Sequence, residues 1–313
     1  MDAPMNCQDP PGQPPPVVNG FTVDLEEWFQ GLTSTNRQVE RWPHLESRVV
    51  GATRQLLRLL RSHGVRATFF VLGHVADHHP GLIEEICADG HEIGVHGYFH
   101  RFVYRLTPAQ FQEELERGIQ AVMSITGEQP LGHRAPYFSI DHRTPWAFAC
   151  LEACGFRYDS SIFPIRSLLY GSPGAPRFPY RVPGHRLVEF PVSTVRVAGI
   201  NWPMAGGFYV RALPYPLVRW AIARLNRAGQ PAILYLHPWE LDTGQVYRQV
   251  TWRERITHYH GRRGLAGKLE RLFTDFRFTN LGTLWRAQRA QTAGGDTVIA
   301  GAIARPSSHG LHP

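Results

Sequence analysis

Four short segments, far apart in the chain, hold residue types that make chemical sense together: Asp24-Leu25-Glu26-Glu27, His96-Gly97-Tyr98-Phe99-His100, Arg134-Ala135-Pro136-Tyr137 and Leu234-Tyr235-Leu236-His237. Two histidines four apart, joined by carboxylates, are donors suited to a divalent cation. A further carboxylate, an arginine and a distant histidine are what metal-assisted hydrolysis adds. One carboxylate can then serve as a ligand and another, near the bound water, as base. Three acids crowded at Asp24, Glu26 and Glu27 repel one another unless a cation compensates them.

No segment is specific alone. The chain has 16 histidines, and His74, His78 and His79 repeat the spacing of His96 and His100 without a matching carboxylate motif. That second cluster reads as surface. The spacing of His96 and His100 predicts a helical turn with both imidazoles on one side.

The elements around these segments decide whether they can meet. Strands are predicted at 17–24, 67–72, 92–95, 131–134, 156–159, 187–192 and 232–236, from short apolar runs. Helices are predicted at 46–63, 81–88, 108–125, 143–153, 214–228 and 281–289, from apolar residues at helical spacing. The stretch 164–207 is rich in Pro and Gly and reads as an irregular insert, with a tight turn at Gly206 and Gly207. Alternating strands and helices imply parallel βα units, in a barrel or a doubly wound sheet. Asp24, His96, Arg134, Asp159 and His237 all fall at the C-terminal ends of predicted strands, which in a βα barrel is the catalytic rim.

Composition narrows the class. The 313 residues are 43% hydrophobic, enough for one large core. The net charge of +7 comes almost wholly from arginine, Lys268 being the single lysine. No dense arginine run interleaved with aromatics is present, so a nucleic-acid partner is not expected. The four cysteines, Cys7, Cys87, Cys150 and Cys154, are too few and irregular for a disulfide framework and read as buried thiols. No signal peptide and no run of about 20 apolar residues is visible, so the expectation is a cytoplasmic chain without a membrane span. Residues 1–16 and the tail from 291 to 313 read as disordered.

The motifs taken in order resemble the polysaccharide deacetylases of carbohydrate esterase family 4, with their NodB-like domain. The segments are Phe-Thr-Val-Asp-Leu-Glu-Glu-Trp-Phe (21–29), Ala-Thr-Phe-Phe-Val-Leu-Gly (67–73), Gly-His-Glu-Ile-Gly-Val-His-Gly-Tyr-Phe-His (90–100), Arg-Ala-Pro-Tyr-Phe-Ser (134–139), Tyr-Asp-Ser-Ser-Ile (158–162) and Leu-Tyr-Leu-His-Pro-Trp-Glu (234–240). The chain looks especially like the subgroup beside exosortase-type exopolysaccharide loci, with its DUF3473-type C-terminal region. The resemblance implies a distorted (β/α)7 barrel over residues 17–290, the part from about 160 being subgroup-specific. It implies one divalent metal, commonly zinc, cobalt or nickel, and removal of N-acetyl groups from an amino-sugar polysaccharide or oligosaccharide, in exopolysaccharide biosynthesis.

Carried over by position, Asp24 is the expected base, and His96 and His100 are the expected metal ligands. Arg134 is expected to orient the base, Tyr137 to offer its backbone N–H to the oxyanion, and His237 to be the acid. Asp159 is expected to stand near His237. The commoner motif has a second aspartate as metal ligand, where this chain has Leu25. The ligand must then be Glu26 or Glu27, and alternation along an extended segment favours Glu26, on the side of Asp24. Trp28, Trp202 and Trp239 are candidate sugar-contacting faces, Trp239 the best placed. An O-acetyl esterase, a small-amide hydrolase and a non-catalytic sugar-binding protein are the rival readings.

Overall fold

The computed structural model of the chain describes residues 16–166, 171–247 and 249–293. The expected disordered leader lies, apart from Pro16, outside the described residues, as do Cys7 and the tail from 294 onward. Residues 291–293, expected in that tail, instead belong to the last helix, Leu281–Ala293.

Among the described residues there are eleven strands: β1 Val18–Leu25, β2 Thr68–Val71, β3 Glu92–Val95, β4 Gly132–His133, β5 Tyr158–Asp159, β6 Tyr180–Arg181, β7 Val188–Glu189, β8 Thr194–Val197, β9 Ile200–Pro203, β10 Ile233–Leu236 and β11 Arg277–Thr279. Seven of them run parallel in the order β10-β1-β2-β3-β4-β5-β7. Antiparallel β6 extends the sheet beyond β7, and β11 pairs with the first residues of β1. The sheet curls so that its edges are bridged: Ser193 N–H donates to Ile233 O (3.1 Å) and Tyr235 N–H to Ala205 O (3.0 Å). The result is the expected distorted barrel of the α/β class.

β1 shows why a buried parallel strand reads as continuous apolar sequence: seven of its eight residues are buried. Phe21, Val23 and Leu25 belong to the main core, where Phe21 meets Phe273 and Phe278 edge-on. The alternate residues, Thr22 and Asp24, face Arg134. Strand pleat thus lines up a polar file within an apolar run.

The helices follow local signals. The 108–126 helix opens on a Thr107–Gln110 capping box with Pro108 at its first position and ends on left-handed Gly127 (φ 70°). Its Glu114 accepts from the backbone N–H groups of Tyr98 (3.2 Å) and Phe99 (2.9 Å), pinning the segment between the two histidines. Gly118 of the same helix is in close contact with that segment; a Cβ there would stand 3.0 Å from Gly97 O and 2.8 Å from Val95.

The insert is more regular than expected. Beyond β6 and β7 it contains the β8–β9 hairpin, and a helix at Gly207–Ala212 follows. Helices at Trp252–Tyr259 and Leu265–Asp275 also go beyond the sequence expectation. Cys87, Cys150 and Cys154 are free thiols, half-buried and not fully enclosed. Among the described residues no helix is long and apolar enough to cross a membrane.

Candidate active site

Arg134 is fully buried at the end of β4 and is satisfied on three sides. Its Nη1 donates to Asp24 Oδ1 (2.8 Å) and Thr22 Oγ1 (2.7 Å), Nη2 to Ser160 Oγ (2.7 Å) and Nε to Ser160 O (2.9 Å). The Phe70 ring lies beneath the guanidinium, 4.5 Å away. A planar, permanently charged fork suits this arrangement, and it fixes one oxygen of Asp24 while the other faces the site.

Glu26, His96 and His100 are buried, and one ligand atom from each lies within 4.8 Å of the others. His96 donates its Nδ1–H to Arg134 O (2.7 Å), which selects the tautomer and leaves the Nε2 lone pair for a ligand. Burial carries its pKa down to about 3, so the ring is neutral. Burial opposes the charge on Glu26, but chiefly His100 and His237 outweigh it and hold the carboxyl at about 2. Oε2 of Glu26 is buried 2.7 Å from His100 Nε2, yet it makes no properly directed hydrogen bond. A buried carboxylate oxygen and imidazole nitrogens converging this way fit a divalent cation.

Glu27 turns the other way. It accepts from Ser47 Oγ and Arg48 N–H (3.1 Å) and takes no part in the cluster. The His96–His100 segment departs from expectation. It is a bend and not a helical turn, with His100 left-handed (φ 55°), and the ring centroids come to 5.1 Å. Tyr137 is also left-handed (φ 55°), stacks on Phe102 at 4.1 Å and sits 4.4 Å from the His100 ring. Such non-glycine conformations cost on the order of 1–3 kcal/mol each, and their gathering beside one cluster marks a functional constraint.

His237 stands 3.9 Å from Asp24 Oδ2 and 3.6 Å from Glu26 Oε1 through its Nε2. The carboxylate on its Nδ1 is Glu240, not Asp159 as expected. Glu240 Oε1 accepts from both the ring Nδ1–H (2.9 Å) and the backbone N–H (3.0 Å) of His237. Asp159 is taken up elsewhere, by His133 Nδ1 (2.8 Å) and Ser161 Oγ (2.7 Å). The reason is reach: β5 ends beside β4 and β7, whereas Glu240 follows His237 by three residues in a tight 3₁₀ turn.

Buried Arg211 donates Nε to the other oxygen of Glu240 and is itself anchored on Thr257 O (2.7 Å). Burial opposes the Glu240 charge, but Arg211 and His237 hold its carboxyl at about 2. Burial likewise opposes charge on His237, but Glu26, Glu240 and Asp24 together lift the imidazole to about 9. Gly207 makes room for this, since a Cβ there would collide with the Glu240 carboxylate. Sequence reading found the glycine and quoted Glu240 within a motif, but assigned a role to neither Glu240 nor Arg211.

Trp239 is not a sugar platform. It is buried, stacked between His237 (4.8 Å) and His258 (3.8 Å), and donates Nε1–H to Glu26 Oε1 (3.1 Å). Trp28 is buried as well, while Trp202 is exposed on β9. Neither His74 nor His79 is fully exposed; His74 packs edge-on against Trp42.

Residues 45–158 match the polysaccharide deacetylase family, and residues 160–286 match a domain of unknown function, DUF3473. The chain therefore carries a polysaccharide deacetylase domain with a C-terminal DUF3473 region. His96, His100, Arg134 and Tyr137 come from the first segment, His237, Glu240 and Arg211 from the second, and Asp24 at the end of β1 and Glu26 just after it lie ahead of both. Among curated relatives, a peptidoglycan deacetylase-like protein of Gibberella zeae is 38% identical over 118 residues, covering 37% of this chain and 34% of that one. A peptidoglycan deacetylase of Helicobacter pylori is 32% identical over 108 residues, covering 34% and 36%. A chitin deacetylase of Colletotrichum lindemuthianum is 38% identical over 94 residues, covering 28% and 38%. The chain thus spans about a third of the length of these curated relatives.

Two solved structures share the fold over nearly the whole chain. A candidate polysaccharide deacetylase from Mycobacterium smegmatis has TM-score 0.59 at 22% identity, covering 96% of this chain and all of that one. Puue allantoinase has TM-score 0.60 at 18% identity, covering 93% and 98%.

Proposed function

We propose that this protein hydrolyses the N-acetyl group of an amino-sugar polysaccharide or oligosaccharide, releasing acetate and a free amine. The observation that carries the reading is the convergence of Asp24 and His237 on the Glu26–His96–His100 cluster. A base, an acid and a ligand set within one cluster are what cleavage of an unreactive amide needs. The deacetylase domain and the deacetylase relatives support the substrate class. The resemblance of the motifs to the exosortase-associated subgroup supports an exopolysaccharide as the polymer.

Glu26, His96 and His100 would hold one divalent cation. When bound, such an ion polarises the acetyl carbonyl and makes water acidic enough to be deprotonated near neutral pH. Asp24, held by Arg134, accepts the water proton through its free oxygen. The Tyr137 backbone N–H, presented by its left-handed conformation, donates to the carbonyl oxygen as negative charge develops there. His237, kept protonated by Glu240 and Glu26, delivers a proton to the nitrogen as the C–N bond breaks. Trp239 keeps the His237 ring in plane and anchors Glu26, which couples the acid to the ligand set.

The test is acetate release from N-acetylglucosamine oligomers by the purified protein. Full turnover in both Asp24→Asn and His237→Ala would refute the assignment of base and acid.

A further inference from the structure

The β8–β9 hairpin is inside out. Its register pairs Val195 with Trp202 and Val197 with Ile200, so these four side chains share one face. The other face pairs Thr194 with Pro203 and Arg196 with Asn201. A hairpin on a soluble barrel turns its apolar face inward. Here the polar face makes the contacts with the body of the protein: Asn201 donates to Pro164 O (2.9 Å), and Thr194 Oγ1 accepts from Arg177 Nε (3.1 Å). Val195 is buried at the base, while Val197, Ile200 and Trp202 are 43%, 60% and 55% exposed. The tip is a tight two-residue turn, Ala198 (φ 49°) and Gly199 (φ 78°).

The helix at Tyr215–Arg227 packs beside this hairpin and adds exposed Leu217 and Trp220, with the Arg224 guanidinium 5.8 Å above the Trp220 ring. The surroundings are cationic. Of the nine arginines between Ser160 and Trp239, Arg211 is buried on Glu240 and Arg219 pairs with Asp275 (2.7 Å), while Arg196 and Arg224 are exposed. Arg177, Arg196 and Arg224 lie close enough to repel: after burial, the other two are what lower the pKa of Arg177.

We propose that the hairpin face and the adjoining surface of this helix dock the protein on an anionic phospholipid membrane. Exposed Val, Ile and Trp suit the boundary between headgroups and acyl chains, and two exposed arginines, Arg196 near the hairpin tip and Arg224 beside Trp220, suit lipid phosphates. The charge also argues against a second copy as the occupant, because a two-fold interface would set the same arginines against one another. The surface uses none of the residues assigned to acetyl hydrolysis, so it stands or falls separately from that reading.

Flotation of the full chain with vesicles tests this. Vesicles of phosphatidylcholine alone are compared with an equimolar mixture of phosphatidylcholine and phosphatidylglycerol. The protein floats with the anionic vesicles and not with the neutral ones. The variants Ile200→Ser/Trp202→Ser and Arg196→Ser/Arg224→Ser each lose at least about tenfold in vesicle affinity. Both keep the wild-type thermal midpoint, and the Arg196→Ser/Arg224→Ser variant keeps acetate release from a soluble oligosaccharide. In the unsubstituted protein, brominated acyl chains quench tryptophan fluorescence, which reads insertion without relying on a variant. Failure to float with anionic vesicles overturns the proposal, as does unaltered flotation of the Ile200/Trp202 variant. A dimer that dissociates with that variant, without vesicle binding, assigns the face to a second copy and also overturns it.

Discussion

Nδ1 of His237 lies 2.9 Å from Oε1 of Glu240, and the far oxygen of the same carboxylate takes Nε of buried Arg211. The proposed acid is thus set by a relay within the DUF3473 region, while His96, His100 and Arg134 lie in the deacetylase segment and Asp24 and Glu26 ahead of both. Glu240→Gln keeps the shape and removes the charge. Turnover falls by about 10- to 100-fold with little change in KM, as expected for a group that orients an acid worth about 10²- to 10⁴-fold. Steady-state kinetics check it, and a pure KM effect would place Glu240 in substrate binding instead.

Gly207→Ala probes the same relay without touching a polar group. The new Cβ collides with the Glu240 carboxylate and moves it off His237. The expected outcome is a drop in turnover with metal content unchanged, at a stability cost of about 1–3 kcal/mol from overpacking. Wild-type activity in this variant would mean that the contact between Glu240 and His237 is dispensable.

The Glu240 charge also predicts a pH dependence of stability. Its folded pKa of about 2 lies below the ordinary 4.5, so its contribution is fully present above about pH 4.5. It is lost as pH falls from there towards 2, by about 3 kcal/mol at most. Urea midpoints of wild type and Glu240→Gln should therefore converge across that acidic window. Parallel curves would show that the charge adds nothing to stability.

Arg134→Lys should not rescue Arg134→Met. A lysine offers a point charge where Asp24, Thr22 and Ser160 are held at once by a planar fork. Either change leaves buried acceptors or the Asp24 carboxylate unpaired, at a cost of about 3–5 kcal/mol. Thermal melting together with acetate release measures both effects.

Much of this site was legible because period-two alternation in β1 puts Asp24 and Glu26 on one side and Glu27 on the other. Parallel strands ending in His, Arg or Asp also point to one rim. What sequence could not supply was contact across distant segments. Asp159 is ruled out as the partner of His237 only by which strand lies next to which, whereas Glu240, three residues after His237, was within local reach. Arg211 sits on a short helix, Gly207–Ala212, just past the irregular stretch, where no element was expected. Trp239 follows its histidine as a surface aromatic might, and only tertiary packing against His258 buries it. The His96–His100 spacing pointed to the right pair through the wrong local geometry, because a left-handed bend and a helical turn can bring two rings equally close.

The most direct measurement is metal-dependent acetate release. The chelator-stripped protein is offered N-acetylglucosamine oligomers with and without added zinc, cobalt or nickel, alongside Glu26→Gln, His100→Ala and Asp24→Asn. The account predicts that the stripped protein is inactive and that about one equivalent of ion restores it. It predicts that Glu26→Gln and His100→Ala bind the ion at least about tenfold more weakly, and that Asp24→Asn binds it but does not turn over. Full acetate release by the stripped protein, or unchanged ion affinity in both ligand variants, would contradict it.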